Sequence, residues 1–418
     1  MVKSIVKSPC RFNGQTLVVA VDLAKETNVG YCRCPSGSEL KSFAFANTGD
    51  GYKYFWETVV AFQRHHGLTE IVVGFESTGI YGTPLISFLE DKPVTLVQVN
   101  PCHTKRLKEL EGNSPNKTDY KDPRIIADLI ELGRFLTVVV PRGVEAELRA
   151  ISHSRERAVS RCNTLYNQLH DLAFAIFPEF VYVMKDLRTK TALHLLEVMP
   201  LPEDIIRFGI EPLTTMIRRV SYGNLRRERA EALISAAANT VGIKEGRSGI
   251  VTEMQNLIRI IRETEIFIQA TEEAMEKSLK DIPYSRSLLS MKGIRAVTAA
   301  SIIGEFGYLP AFKTIGEAMK FAGLNLFEIS SGKHKGQRHI SKRGRALIRK
   351  LLYFAAMNTV RKGGIMYDKY QAHLLAGMGK NKALVAIARK LLAIIIALVR
   401  DNAEYDANYT MQRIGRAA

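Results

Sequence analysis

At 418 residues and 46.8 kDa, with 46% hydrophobic residues, the chain is long enough for two or three cored domains. Against 42 Asp and Glu stand 59 Lys and Arg, giving a net charge of +17 and a pI near 9.6, a balance that favours a polyanionic partner such as nucleic acid. Five scattered cysteines without CxxC spacing exclude a disulfide framework and a zinc ribbon, and the apolar run 391–399 is too short to span a bilayer, so a cytoplasmic protein without membrane partners is expected, nucleoid-associated when DNA-bound.

After a basic N-terminal arm, residues 17–21 are a run of apolar, mostly β-branched residues that reads as a buried strand ending on Asp22. Two further strands, 28–34 and 40–46, flank the turn residues Pro35-Ser36-Gly37. A helix over 51–67, a buried strand over 70–75 ending at Glu76, a helix over 81–91 and a strand over 94–99 complete a βββαβαβ order. Right-handed crossovers place 70–75 beside 17–21, on the side away from the meander. Asp22 and Glu76 then meet at neighbouring carboxyl ends, where α/β sheets collect ligands.

Residues 101–116 turn polar and charged, with Lys105 and Arg106, and close on the breaker cluster Gly112-Asn113-Ser114-Pro115. Lys117-Thr118-Asp119-Tyr120-Lys121-Asp122 follows, then a helix over 124–133 with apolar residues at helical spacing. Pro123 suits its first turn, which places Asp122 at or near the N-cap and Asp119 in the preceding loop.

From 144 to about 282 the pattern is helical, with long helices over 148–177 and 248–279. Met254, Ile261, Ile268 and Met275 recur at sevens, as one position of a coiled-coil heptad would. That seam suits either a core within the chain or a dimerising arm. Beyond it, 289–304 reads as helix, Gly-containing turn, helix, similar to a helix-hairpin-helix that offers N–H groups to phosphate. Residues 330–350 carry eight Lys or Arg and no acid, punctuated by Gly and Ser rather than by compensating Glu. Ser331 lies in this loop, where Lys333, Lys335 or Arg338 could stabilise a developing phosphate charge; a simple turn serine is the alternative.

Asp22, Glu76, Asp119 and Asp122 together would make a set of hard oxygen ligands suited to Mg²⁺ or Mn²⁺. Four converging carboxylates would repel one another without a cation.

Ala20-Val21-Asp22, Gly74-Phe75-Glu76-Ser77-Thr78-Gly79, Lys117-Thr118-Asp119-x-x-Asp122, Gly293-Ile294, Phe321-Ala322-Gly323-Leu324, Ser331-Gly332 and Ser341-Lys342-Arg343-Gly344 together resemble the DEDD transposases of insertion-sequence family one-ten, which include Piv-type invertases. The resemblance implies an α/β plus all-α chain: an RNase H-like (RuvC-like) mixed sheet with helices over 1–143, a helical coiled-coil middle over 144–285, and a mainly helical transposase domain over 286–418. It implies that Asp22, Glu76, Asp119 and Asp122 bind metal and act in catalysis, and that Ser331 becomes covalently linked to DNA. It also implies a dimer or tetramer with a composite site across subunits, and guidance by a structured bridge RNA that pairs with target and donor DNA. Lys105, Arg106, Lys117, Lys333, Lys335, Arg338, Lys342, Arg343 and Arg345 are the expected nucleic-acid contacts. Two departures stand out: Pro123 replaces the family's Ala after the last acid, and Ser330 precedes Ser331, leaving Ser330 as an alternative nucleophile. A metal-dependent junction nuclease and a non-catalytic nucleic-acid-binding derivative of a transposase are the alternative functions.

Overall fold

The computed structural model describes residues 13–76, 79–111, 122–328, 336 and 338–406. They form two compact units: Met1–Val140 with Tyr308–Ala346 and Arg389–Asp401, and Pro141–Gly307 with Leu347–Ala388 and Asn402–Ala418. The stretch 286–418 contributes to both, so the division into 1–143, 144–285 and 286–418 describes chain order and remains a proposal for functional domains.

The first unit is built on a six-stranded sheet of order β3-β2-β1-β4-β5-β6. Its strands are β1 (Thr16–Asp22), β2 (Thr27–Arg33), β3 (Glu39–Ala46), β4 (Glu70–Glu76), β5 (Val94–Val99) and β6 (Phe135–Thr137). The first three form the expected antiparallel meander, and β4 and β5 run parallel to β1. Helices α1 (Gly49–His65), α2 (Gly82–Leu89), α3 (Pro101–Glu111) and α4 (Asp122–Glu131) intervene.

Alternate residues of β1 feed two cores. Leu17, Val19 and Val21 pack with Phe55 of α1 and Leu85 of α2, whereas Val18 and Ala20 pack with Ile126 and Ile130 of α4. Helices on both faces explain why the strand is continuously apolar rather than alternating. Each fully buried Val or Leu here contributes roughly 1.5–3 kcal/mol. Gly74 lets α4 approach β4: a Cβ there would lie 2.3 Å from Ile130 Cδ1 and 2.9 Å from Val97 Cγ2. Arg33 of β2 then ties down α4, pairing with Asp128 at 2.5 Å and Glu131 at 3.2 Å, and also with Glu39 at 3.1 Å. Burial, and then Glu39, push the neighbouring Tyr31 phenol up to about 12.

Residues 101–111, read from sequence only as a polar charged segment, are the helix α3. Asn100 caps it, its Oδ1 accepting from Cys102 N at 2.8 Å, and Pro101 occupies the first turn, where its missing N–H costs nothing.

In the second unit α5 (Gly143–Ile176) packs along α11 (Arg247–Leu279). Between them in sequence lie α6 (Pro178–Met184), α7 (Lys190–Val198), α8 (Pro202–Phe208), α9 (Ile210–Val220) and α10 (Arg227–Ala238). Met254, Leu257, Ile258 and Ile261 join Leu165, Tyr166 and Leu169 in one core, so the heptad seam is used within the chain. The interrupting Thr264 and Thr271 are also buried, with their hydroxyls donating to Ile260 O at 2.7 Å and Ile268 O at 2.6 Å. The expected hairpin is α12 (Ser285–Leu289), a turn with Gly293 at φ +109°, and α13 (Ala296–Phe306).

After α13 come a 3₁₀ turn (Leu309–Ala311) and α14 (Ile315–Ala322), followed by β7 (Leu326–Glu328) and β8 (Arg338–Ile340) as an antiparallel pair, then α15 (Ala346–Thr359), α16 (Tyr367–Leu375) and α17 (Lys380–Arg400). Among the described residues no helix is long and apolar enough to cross a membrane.

Candidate active site

The parallel register of β1 and β4 aligns Val21 with Phe75, so the next residues, Asp22 and Glu76, end neighbouring strands on the same side of the sheet. Strand alternation puts both on the face of Val18, Ala20 and Val72, which is the face α4 covers. Asp122 opens α4, with Pro123 behind it in the first turn, as expected from the sequence. Asp22 and Glu76 thus leave the sheet on the face over which the helix opened by Asp122 packs. Asp119 lies outside the described residues, and among the described residues no three His, Cys, Asp or Glu side chains converge closely enough to hold an ion.

Helix α3 supplies partners that the sequence reading missed. Thr104, 3% exposed, donates its hydroxyl to Glu76 Oε2 at 2.6 Å. One turn later, Lys108 Nζ sits 2.6 Å from Asp122 Oδ2. Positions i and i+4 share a helix face, so α3 holds one acid by a neutral donor and another by a cation. The available signal was the Asn100-Pro101 helix start, which would have revealed that spacing.

Carboxylates are hard oxygen donors of the kind divalent ions take; Asp22 and Glu76 end adjacent strands, and Asp122 already binds a cationic group, Lys108.

Ser331 and Ser330, with Lys333 and Lys335, fall outside the described residues, as does Lys117. The base of their loop is described, and it explains two sequence motifs at once. Ser341 N donates to Asn325 O at 2.7 Å, Lys342 N to Gly323 O at 3.0 Å, and Arg345 N to Phe321 O at 3.1 Å. Gly323, at φ +69°, ends α14 in the left-handed region, and Lys342 follows at φ +53°. Gly344 lies so close to this turn that a Cβ would meet Gly323 N at 2.4 Å and Phe321 O at 2.5 Å. Phe321-Ala322-Gly323-Leu324 and Ser341-Lys342-Arg343-Gly344 are thus two sides of one backbone clamp, from which β7 and β8 project.

The expected nucleic-acid contacts fare differently. Lys105, Arg106, Lys342 and Arg343 are exposed. Arg338 is engaged across the hairpin with Glu328 at 2.9 Å, and the Arg345 guanidinium lies over the Phe321 ring, 5.0 Å from its centroid. Arg343 Nη1 approaches His103 Nε2 at 3.4 Å, which brings the clamp to α3. Burial, then the positive charges of Arg343, Arg106 and Arg134, hold the His103 imidazole below its ordinary value, so the neutral ring faces the guanidinium.

A mixed sheet of this order, with acids closing its adjacent parallel strands and helices on both faces, defines an RNase H-like domain followed by a mainly helical remainder. Residues 19–178 match a family model described as a transposase, and residues 285–371 match one described as the transposase of the IS116/IS110/IS902 family. The chain is 24% identical over 288 residues to an insertion element IS116 protein of Streptomyces clavuligerus, covering 68% of this chain and 71% of that one. An insertion element IS110 protein of Streptomyces coelicolor matches at 20% over 395 residues, 93% of this chain and 95% of its own. A transposase for insertion sequence element IS1111A from Coxiella burnetii matches at 24% over 310 residues, 73% and 72% of the two chains. The chain belongs to the IS110 family of DEDD transposases, whose action is on DNA.

Proposed function

We propose that this transposase cuts and rejoins insertion-sequence ends and target DNA through Ser331, with Asp22, Glu76, Asp119 and Asp122 holding Mg²⁺ or Mn²⁺. The observation that carries the reading is the placement of Asp22 and Glu76 at adjacent parallel strand ends, on the sheet face that the helix of Asp122 covers. A divalent ion there would supply Lewis-acid stabilisation of the charge that develops on the phosphate. Ser331 Oγ attacks phosphorus; its bond to phosphorus forms as the bond to one sugar oxygen breaks, and that oxygen leaves with a proton as a hydroxyl. A hydroxyl of a second strand then reverses the exchange, rejoining DNA and restoring the serine. The exposed Lys105, Arg106, Lys342 and Arg343, with Lys117, Lys333 and Lys335, grip phosphates. A structured guide RNA selects the target, and the working form is a cytoplasmic homo-oligomer.

Recombination between donor and target plasmids tests this. Ser331→Ala and Asp119→Ala should each abolish it; wild-type rates in both would overturn the reading. Persistent cleavage by Ser331→Ala would indicate a junction nuclease instead.

A further inference from the structure

Helix α3 does more than line the site. Thr104 and Lys108, one turn apart, each meet a different acid at 2.6 Å, and α3 packs against α4, whose first residue is one of those acids. The two contacts differ in chemistry. A threonine hydroxyl donated to a carboxylate oxygen fixes Glu76 and removes none of its charge. An ammonium on Asp122 cancels its charge and occupies the position of a cation. Lys108 is also 37% exposed, and its stem has four rotatable carbons, so it can withdraw into solvent; Thr104 is buried and cannot.

Resting on the metal reading above, we propose that Lys108 is an internal counter-cation that neutralises Asp122 until a divalent ion displaces it, while Thr104 is a positioning residue that holds Glu76 for that ion. Asp122 drawn toward Asp22 and Glu76 without a cation would meet their repulsion, and Lys108 relieves it without filling the site irreversibly. The two residues therefore influence ion affinity with opposite signs: Lys108 competes with the ion, and Thr104 assists it.

Mn²⁺ titration of the full-length protein, followed by the electron paramagnetic resonance of free Mn²⁺, reads both. Lys108→Met should bind Mn²⁺ about 3–10-fold more tightly, the range of one partly exposed ion pair. Lys108→Arg, which keeps the cation, should retain the wild-type affinity. Thr104→Val should bind more weakly, and Thr104→Ser should restore binding. A lysine that only ties α3 to α4 predicts weaker binding in Lys108→Met, and unchanged or weaker binding would overturn the proposal. Lys108→Gln, which keeps a polar side chain, gives the same comparison if the methionine variant does not fold. Wild-type protein whose Mn²⁺ binding is absent, or is unaffected by Asp22→Asn, would overturn the metal reading and this proposal with it. Asp22-dependent binding with no gain on losing Lys108 would overturn this proposal alone.

Discussion

The strand ends of the sheet and the paired strands β7 and β8 are held in place by opposite means. Asp22 and Glu76 leave strands buried between two apolar layers, so packing fixes them. Strand β7 is exposed throughout and β8 in all but Ile340, and Leu326 and Phe327 are each 43% in solvent. Backbone hydrogen bonds to Phe321, Gly323 and Asn325 hold them instead. A site fixed by packing tolerates little change in volume. A site fixed by a backbone clamp tolerates surface change but not loss of a close approach.

The widest separation between the two comes from Gly74→Val. The side chain would collide with Ile130 and Val97 and lift α4, costing about 3 kcal/mol. Trp56, the single tryptophan, packs against the core between β1 and α1, so its fluorescence in urea reads the loss directly. An unchanged midpoint would show that the sheet yields at Gly74.

Gly344→Ala sharpens the contrast from the other side. Its methyl group would force apart the backbones at Gly323 and Phe321 and tilt the hairpin. Recombination should fall about 100-fold, as displacements near 1 Å do, while the unfolding free energy read from Trp56 changes by less than about 0.5 kcal/mol. A large stability loss would mean that the clamp and the sheet fold as one.

The smallest effect is set by pH where clamp and α3 meet. His103 has a folded pKa below 6.5, so the unfolded chain binds the extra proton first as pH falls. Stability associated with the neutral ring is complete above pH 6.5 and declines below it. The groups facing it are Arg343, Arg106 and Arg134. His103→Gln should flatten the decline of the Trp56 midpoint between pH 7.5 and pH 5.5, and an unaltered slope would remove His103 from the account.

The same contrast explains what could be read from the sequence. The apolar run ending on Asp22, the meander, the crossover that pairs it with the strand of Glu76, and Pro123 in the first turn of α4 each follow from local pattern and handedness. Their positions hold in the structure. The long helices were legible too, although periodicity could not decide whether the Met254–Ile261 seam was used within the chain. Helix α3 was hidden because charged residues dominate its surface, leaving no apolar period, and only the Asn100-Pro101 start marked it. Lys108 was invisible as the partner of Asp122 because that contact depends on where α3 lies over α4. Strands of three residues, exposed but for Ile340, leave no alternation to detect, so β7 and β8 were missed, along with the reason for Gly344.

The direct test of the central claim is to incubate the full-length protein with Mg²⁺ and DNA carrying the ends of its element, denature the mixture, and map any DNA-linked peptide. A linkage at Ser331 that disappears in Ser331→Ala and in Asp22→Asn is the predicted result. DNA cleaved by the wild type with no surviving protein linkage, or a linkage that persists in Ser331→Ala, would contradict it.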